Sequence, residues 1–182
     1  MSENAVMISI RPGWIQKIFV CEKTVEIRKT RPKIEPPFRC YIYCTLPQYD
    51  HDDLLMTGPL SFYYGGGMVV GEFVCDAVEK LDMDSVGLLL DRTKEYTDWN
   101  PCMERGELLQ YTGGMKPYGW HISDLKIYSN PKPLSDFHSP CGECDGCDTM
   151  SLNNHICLKT LKRAPQSWAY VEYYGEHLND GR

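Results

Sequence analysis

Residues 24–29, Thr-Val-Glu-Ile-Arg-Lys, constrain this chain more than any other stretch. Side chains alternate faces along a strand with period two. As a strand, the segment puts Glu26 and Arg28 on one face and Val25 and Ile27 on the other, with Lys23 at the mouth of the charged face. Val25 and Ile27 then face the core. Two cations and a carboxylate converge just behind an amphipathic helix, making a polar site that can hold a phosphate, a base edge or a carbonyl. The alternative is an edge strand with a solvated charged face.

Charge narrows the partners. The net charge of −6 over 182 residues argues against nonspecific duplex binding by phosphate neutralisation. Residues 1–40 hold eight Lys/Arg against four Asp/Glu, a net of +4, so the rest of the chain carries −10. The basic excess continues from the strand through Lys29, Arg31, Lys33 and Arg39. An acidic body with one basic mouth suits a small anionic ligand or a single strand better than a long duplex. The phosphates of such a ligand would meet Lys23, Arg28 and Lys29, with salt weakening the contact; a solvated charge cluster is the alternative.

The length suits one domain, 1–182. No apolar run approaches the ~20 residues that span a bilayer, and Met-Ser-Glu-Asn-Ala lacks the features of a signal peptide. Nine cysteines, an odd number, do not suit a fully paired secreted framework. A cytoplasmic location and no membrane partner are expected.

Along the chain, residues 7–10 read as a short apolar strand. Pro12 suits the first turn of a helix that carries Trp14, Ile15, Ile18 and Phe19 on one face. Phe38–Thr45 alternates with Phe38, Cys40, Ile42 and Cys44 on one side. Residues 46–67 are expected to be an insertion ending in Tyr63-Tyr64-Gly65-Gly66-Gly67, a flap over one barrel end. Met68–Leu81 reads as a long strand, bent if Gly71 marks a bulge. Residues 82–103 are ambiguous. Glu104–Tyr111 reads as a short helix stopped by Gly113-Gly114, Gly119–Tyr128 as another strand, and Trp168–Tyr173 as the last. Five or six short strands with two helices suit a small mixed β-barrel, an α+β fold.

Cys141-x2-Cys144-x2-Cys147-x9-Cys157 is the second strong signal. Four soft ligands so close together can wrap one ion with little chain entropy lost. Structural Zn(II) held by four thiolates is expected within a knuckle spanning 138–158, with His138 or His155 as possible substitutes for one cysteine. An iron–sulfur cluster and free thiols are the alternatives. Most of Cys21, Cys40, Cys44, Cys75 and Cys102 are expected to fill core space.

Other candidates are individual residues. Trp120 can stack on a base and His121 can read or carry a proton, or both can be structural. Glu72 interrupts an apolar run and needs a partner, expected to be Lys23 or Arg28 across the sheet. Glu107 and Tyr111 lie four apart on one helical face, pointing either into the cleft or into solvent.

Lys23-x-x-Glu26-x-Arg28 resembles the G-x-K-x-x-E-x-R signature of the ASCH domain, a PUA-like β-barrel family linked to RNA. In order along the chain, Met7–Ile10 with Pro12-x-Trp14, Glu22–Lys33, Cys40–Thr45, Gly67–Phe73, Trp120–Leu125 and Pro165–Trp168 are similar to ASCH proteins encoded by phages and prophages of Gram-positive bacteria. The signature glycine is Cys21 here. The resemblance implies a PUA-like/ASCH barrel with two flanking helices and a cysteine-rich metal knuckle. Its cleft would bind RNA, a nucleotide or a modified base through Lys23, Glu26, Arg28, Lys29, Trp120 and His121. Some small ASCH proteins are amidohydrolases of acetylated cytidine that use a lysine, a threonine and a glutamate. Lys23 matches the lysine, but the threonine position is Glu26, so Lys23, Glu26 and Glu72 are only candidates for catalysis. The phage context adds a third reading, an inhibitor or regulator of a host protein. Binding is favoured over catalysis.

Overall fold

Ala5–Ile10 (β1) is buried at all six residues. A strand in the middle of a sheet covered on both faces needs no polar alternation. The computed structural model of the chain describes residues 5–46, 66–81, 99–140 and 160–173. Pro12 opens helix α1 (Pro12–Phe19), which buries Ile15, Ile18 and Phe19. Its fixed φ is pre-set for a first helical turn. A turn with Cys21 at φ 59° leads into β2 (Val25–Arg28). β3 (Phe38–Cys44) then returns parallel to β1, with Val6 opposite Cys40.

The remaining elements are β4 (Met68–Cys75), β5 (Val78–Lys80), α2 (Arg105–Thr112), β6 (Tyr118–His121), β7 (Ser123–Pro133), a single 3-10 turn at Leu134–Asp136, β8 (Phe137–His138) and β9 (Trp168–Tyr173). They form a six-stranded sheet in the order β7-β4-β3-β1-β9-β8 and a three-stranded sheet in the order β2-β6-β5. One antiparallel ribbon joins the two. β4 pairs with β7 in the larger sheet, and their chain neighbours β5 and β6 pair in the smaller one. The ribbon bends at Asp76–Ala77 on one strand and Ile122 on the other. At the bend the Ile122 amide donates to Thr24 O at 2.8 Å, tying β2 to the corner. Among the described residues the architecture is α+β: a curled, mixed half-barrel with two helices.

The long strand expected over Met68–Leu81 is thus two strands, and its sharp turn is not at Gly71. The ladder shifts between Val69 and Gly71, and a Cβ on Gly71 would lie 2.6 Å from Lys126 O. Glycine is needed there for close approach of the backbone.

The main core lies inside the curl, where β1, β3 and β4 meet α1. Val6, Ile8, Phe38, Cys40, Ile42, Phe73 and Trp120 pack there with Ile15 and Ile18. A second cluster on the opposite face of the larger sheet includes Met7, Tyr41, Val69 and Phe137. α2 packs on the smaller sheet through Leu108, against Val25, Ile27 and Leu81. Glu104 and Glu107 cap its start reciprocally, and Gly113 at φ 61° ends it. Among the described residues no helix is long and apolar enough to cross a membrane.

Candidate functional site

β2 is buried on both faces, which explains its unusual composition. Val25 and Ile27 face α2, as the alternation requires. Glu26 and Arg28, each 7 % exposed, face the interior opposite Trp120 and Tyr118 of β6. Lys23 is 2 % exposed. The charge pattern placed it at the mouth of the charged face; it is deeply buried there, because residues 99–103 pack over the turn that precedes β2. Thr24 N and Val25 N both donate to Asn100 O.

The three charges are tied to one another and to backbone. Lys23 Nζ donates to Pro101 O at 2.7 Å and lies 3.4 Å from Glu26 Oε2. That second contact is an ion pair without hydrogen-bond alignment. Arg28 Nη2 donates to Ser9 O at 2.7 Å and lies 3.1 Å from Glu26 Oε1. Burial lowers the Lys23 pKa from its ordinary 10.5, while the Glu26 carboxylate opposes the shift. Glu26 Oε2 and Arg28 Nε are buried with no hydrogen-bond partner among the described residues. Each such atom costs about 1–3 kcal/mol.

A cavity of about 560 Å³ opens beside them, lined by Lys23, Glu26 and Arg28 together with Trp14, Met103 and Tyr111. That volume lies within the usual range for small-molecule sites. Exposed Arg11, Leu46 and Gln166 form its rim. The ring centre of Trp14 lies 5.0 Å from Lys23 Nζ and 4.8 Å from Lys17 Nζ. Burial raises the Tyr111 pKa, and the neighbouring Arg28 opposes the shift. Lys29 is exposed and stands 5.2 Å from the Tyr111 ring centre, outside the lining.

Three candidates lie elsewhere. Trp120 is fully buried in the main core, edge-on to Phe38 at 5.7 Å, and offers no open face for stacking. His121 takes the opposite face of β6, paired with Asp76 Oδ1 at 2.6 Å and stacked 5.5 Å from Trp99. Glu72 does not meet Lys23 or Arg28. It sits on the outer face of the larger sheet, 3.2 Å from Arg39, 3.4 Å from Lys126 and hydrogen-bonded by Tyr128. β4 and β2 belong to different sheets, and Glu72 pairs with Tyr41, which faces away from α1. Glu107 caps α2, whereas Tyr111, one turn on, reaches the cavity.

Cys141, Cys144, Cys147 and Cys157 lie outside the described residues, as does most of the expected 46–67 insertion. Among the described residues no group of three or more side chains is placed to hold a metal. Cys40, Cys44 and Cys75 are buried, in keeping with their expected packing role, whereas Cys21 is exposed. The lining residues that the sequence did not single out as ligand contacts include Trp14, Met103 and the rim. Trp14 was visible as one member of an apolar helix face and in the Pro12-x-Trp14 stretch, and Met103 lay in the ambiguous stretch.

The fold is similar to that of solved ASCH structures. The ASCH protein from Zymomonas mobilis superposes with a TM-score of 0.53 at 18% identity, covering 96% of this chain and 90% of that one. A tyrosine-to-phenylalanine variant of it gives 0.51 at 17% identity, covering 91% and 88%. No protein-family model and no curated protein matches the sequence. At this identity the likeness is one of fold: the chain is ASCH-like. The likeness to the phage-encoded type rests on the sequence stretches alone.

Proposed function

We propose that this chain binds RNA, a nucleotide or a modified base in the cavity beside β2. The observation that carries the reading is the burial of Lys23, Glu26 and Arg28 around one cavity, with their hydrogen bonding incomplete. Buried charges are costly, and a half-satisfied network is worse than an apolar core for stability alone. Such an arrangement is common where a ligand completes it. Trp14 and Tyr111 add aromatic surface, which bases stack on regardless of sequence. The ASCH-like fold agrees by analogy.

Binding of 5′-mononucleotides by calorimetry and of short single-stranded RNA by fluorescence anisotropy tests this. Arg28→Gln, checked for folding by circular dichroism, should weaken binding by about tenfold or more, as expected on losing a charged hydrogen bond. Unchanged affinity in that variant would place the site elsewhere. No binding by any of these ligands would favour the host-protein regulator.

A second reading, amidohydrolysis of a modified nucleoside such as acetylated cytidine, gains from the lowered pKa of Lys23, the property a lysine base requires. Against it, Lys23 Nζ is held by Pro101 O and Glu26, and Glu72 is remote from the cavity. Little or no deacetylation is expected. Turnover abolished by Lys23→Met would reverse the ranking. From ligand spacing alone, we also propose that Cys141, Cys144, Cys147 and Cys157 hold one structural Zn(II).

A further inference from the structure

The charged centre of the cavity spends most of its charge on itself. Lys23 Nζ is engaged by Pro101 O and Glu26, and Arg28 Nη2 by Ser9 O and Glu26 Oε1. Within this centre, two buried polar atoms have no hydrogen-bond partner among the described residues, and they are opposite in kind. Glu26 Oε2 accepts, and Arg28 Nε–H donates.

A phosphate supplies acceptors only. It would give Glu26 Oε2 no donor beyond its ion pair with Lys23 and set a second anion beside the carboxylate. A neutral group with an N–H next to an acceptor satisfies both atoms at once. The pairing edge of a nucleobase carries that combination, and proteins that take single bases into pockets read this edge.

We infer that the cavity takes a nucleoside base-first, its donor–acceptor edge on Glu26 and Arg28, with the ribose and any phosphate outward toward Arg11. This rests on the nucleotide-binding reading above and reverses the mode expected from charge, in which Lys23 and Arg28 grip phosphate. Trp14 and Tyr111 wall the same cavity and supply the apolar surface along which the ring lies. Both atoms are buried in residues that line the cavity, so a base reaches them only as Glu26 and Arg28 shift toward it. The Glu26 Oε2 contact with Lys23 that such a base would replace is 3.4 Å long.

The test is calorimetry on the full chain with the four ribonucleosides and their 5′-monophosphates, at low and high salt. Every ligand that binds is compared with its counterpart methylated on the edge nitrogens, such as 3-methyluridine for uridine or N6,N6-dimethyladenosine for adenosine. Nucleoside and monophosphate should bind within about threefold of each other and with little salt dependence, since no phosphate is neutralised. Edge methylation should cost about tenfold or more, because it removes the donor that hydrogen-bonds Glu26 Oε2 and sets a methyl group against the carboxylate. Monophosphates that bind steeply with salt while nucleosides do not would overturn base-first binding yet leave nucleotide binding standing. Edge-methylated ligands that bind equally well would also overturn it. Failure of every nucleoside and nucleotide to bind, with short RNA still bound, overturns this inference alone; loss of RNA binding as well overturns both.

Discussion

Cys21 shows a non-glycine residue held in a backbone conformation that favours glycine. It stands where the ASCH signature has glycine, and its φ of 59° is the left-handed conformation that glycine tolerates best. Cys21→Gly should therefore stabilise the fold by about 1 kcal/mol, measured by urea unfolding. Lys23 gives a prediction of opposite sense in pH. Its folded pKa lies below the unfolded value of about 10.5. Between the two values the unfolded chain binds the extra proton, so stability rises with pH across that window. Relative to Lys23→Met, the wild-type chain should gain stability as pH climbs from neutral toward 10.5. Unfolding curves of both proteins at two pH values check the sign. At this scale the sequence was informative where period two sufficed, as for Val25, Glu26, Ile27 and Arg28. It gave Glu72 the wrong partners and left Trp120 and His121 open between ligand contact and a structural role, because the interior side of each depends on which sheet its strand joins.

Among the elements, α1 and α2 were legible because Pro12 and Gly113-Gly114 mark a start and a stop with definite backbone requirements. The corner that bends one ribbon into two sheets was not, since Asp76, Ala77 and Ile122 carry no turn signature. Gly71 was flagged as a bulge, and the ladder shifts there; the close approach of Lys126 O was not legible. Gly71→Ala should cost about 1–3 kcal/mol, because the added Cβ meets a backbone carbonyl rather than a side chain that can move aside. Thermal unfolding with calorimetry measures it. For the cysteine knuckle, the proposal is one zinc per chain by native mass spectrometry, lost with chelator. A brown, iron-containing preparation would favour a cluster instead.

For the whole molecule, the curl of the half-barrel matters most, because it turns β2 inward and closes a charged strand face against the core. Charge alone suggested an open basic mouth; the fold converts it into a lined cavity whose two buried cations, Lys23 and Arg28, share one carboxylate. The resemblance to ASCH proteins carried the architecture, and the 560 Å³ cavity could be found only once both sheets were in place. The most direct measurement is a nuclear magnetic resonance titration of the full chain with a ribonucleoside, following the Arg28 Nε–Hε and Trp14 indole signals. Binding in the cavity predicts that both move together and saturate, and that Ile27 moves with them. Shifts confined to the outer face around Lys126 and Tyr128, with Arg28 and Trp14 unmoved, would contradict it.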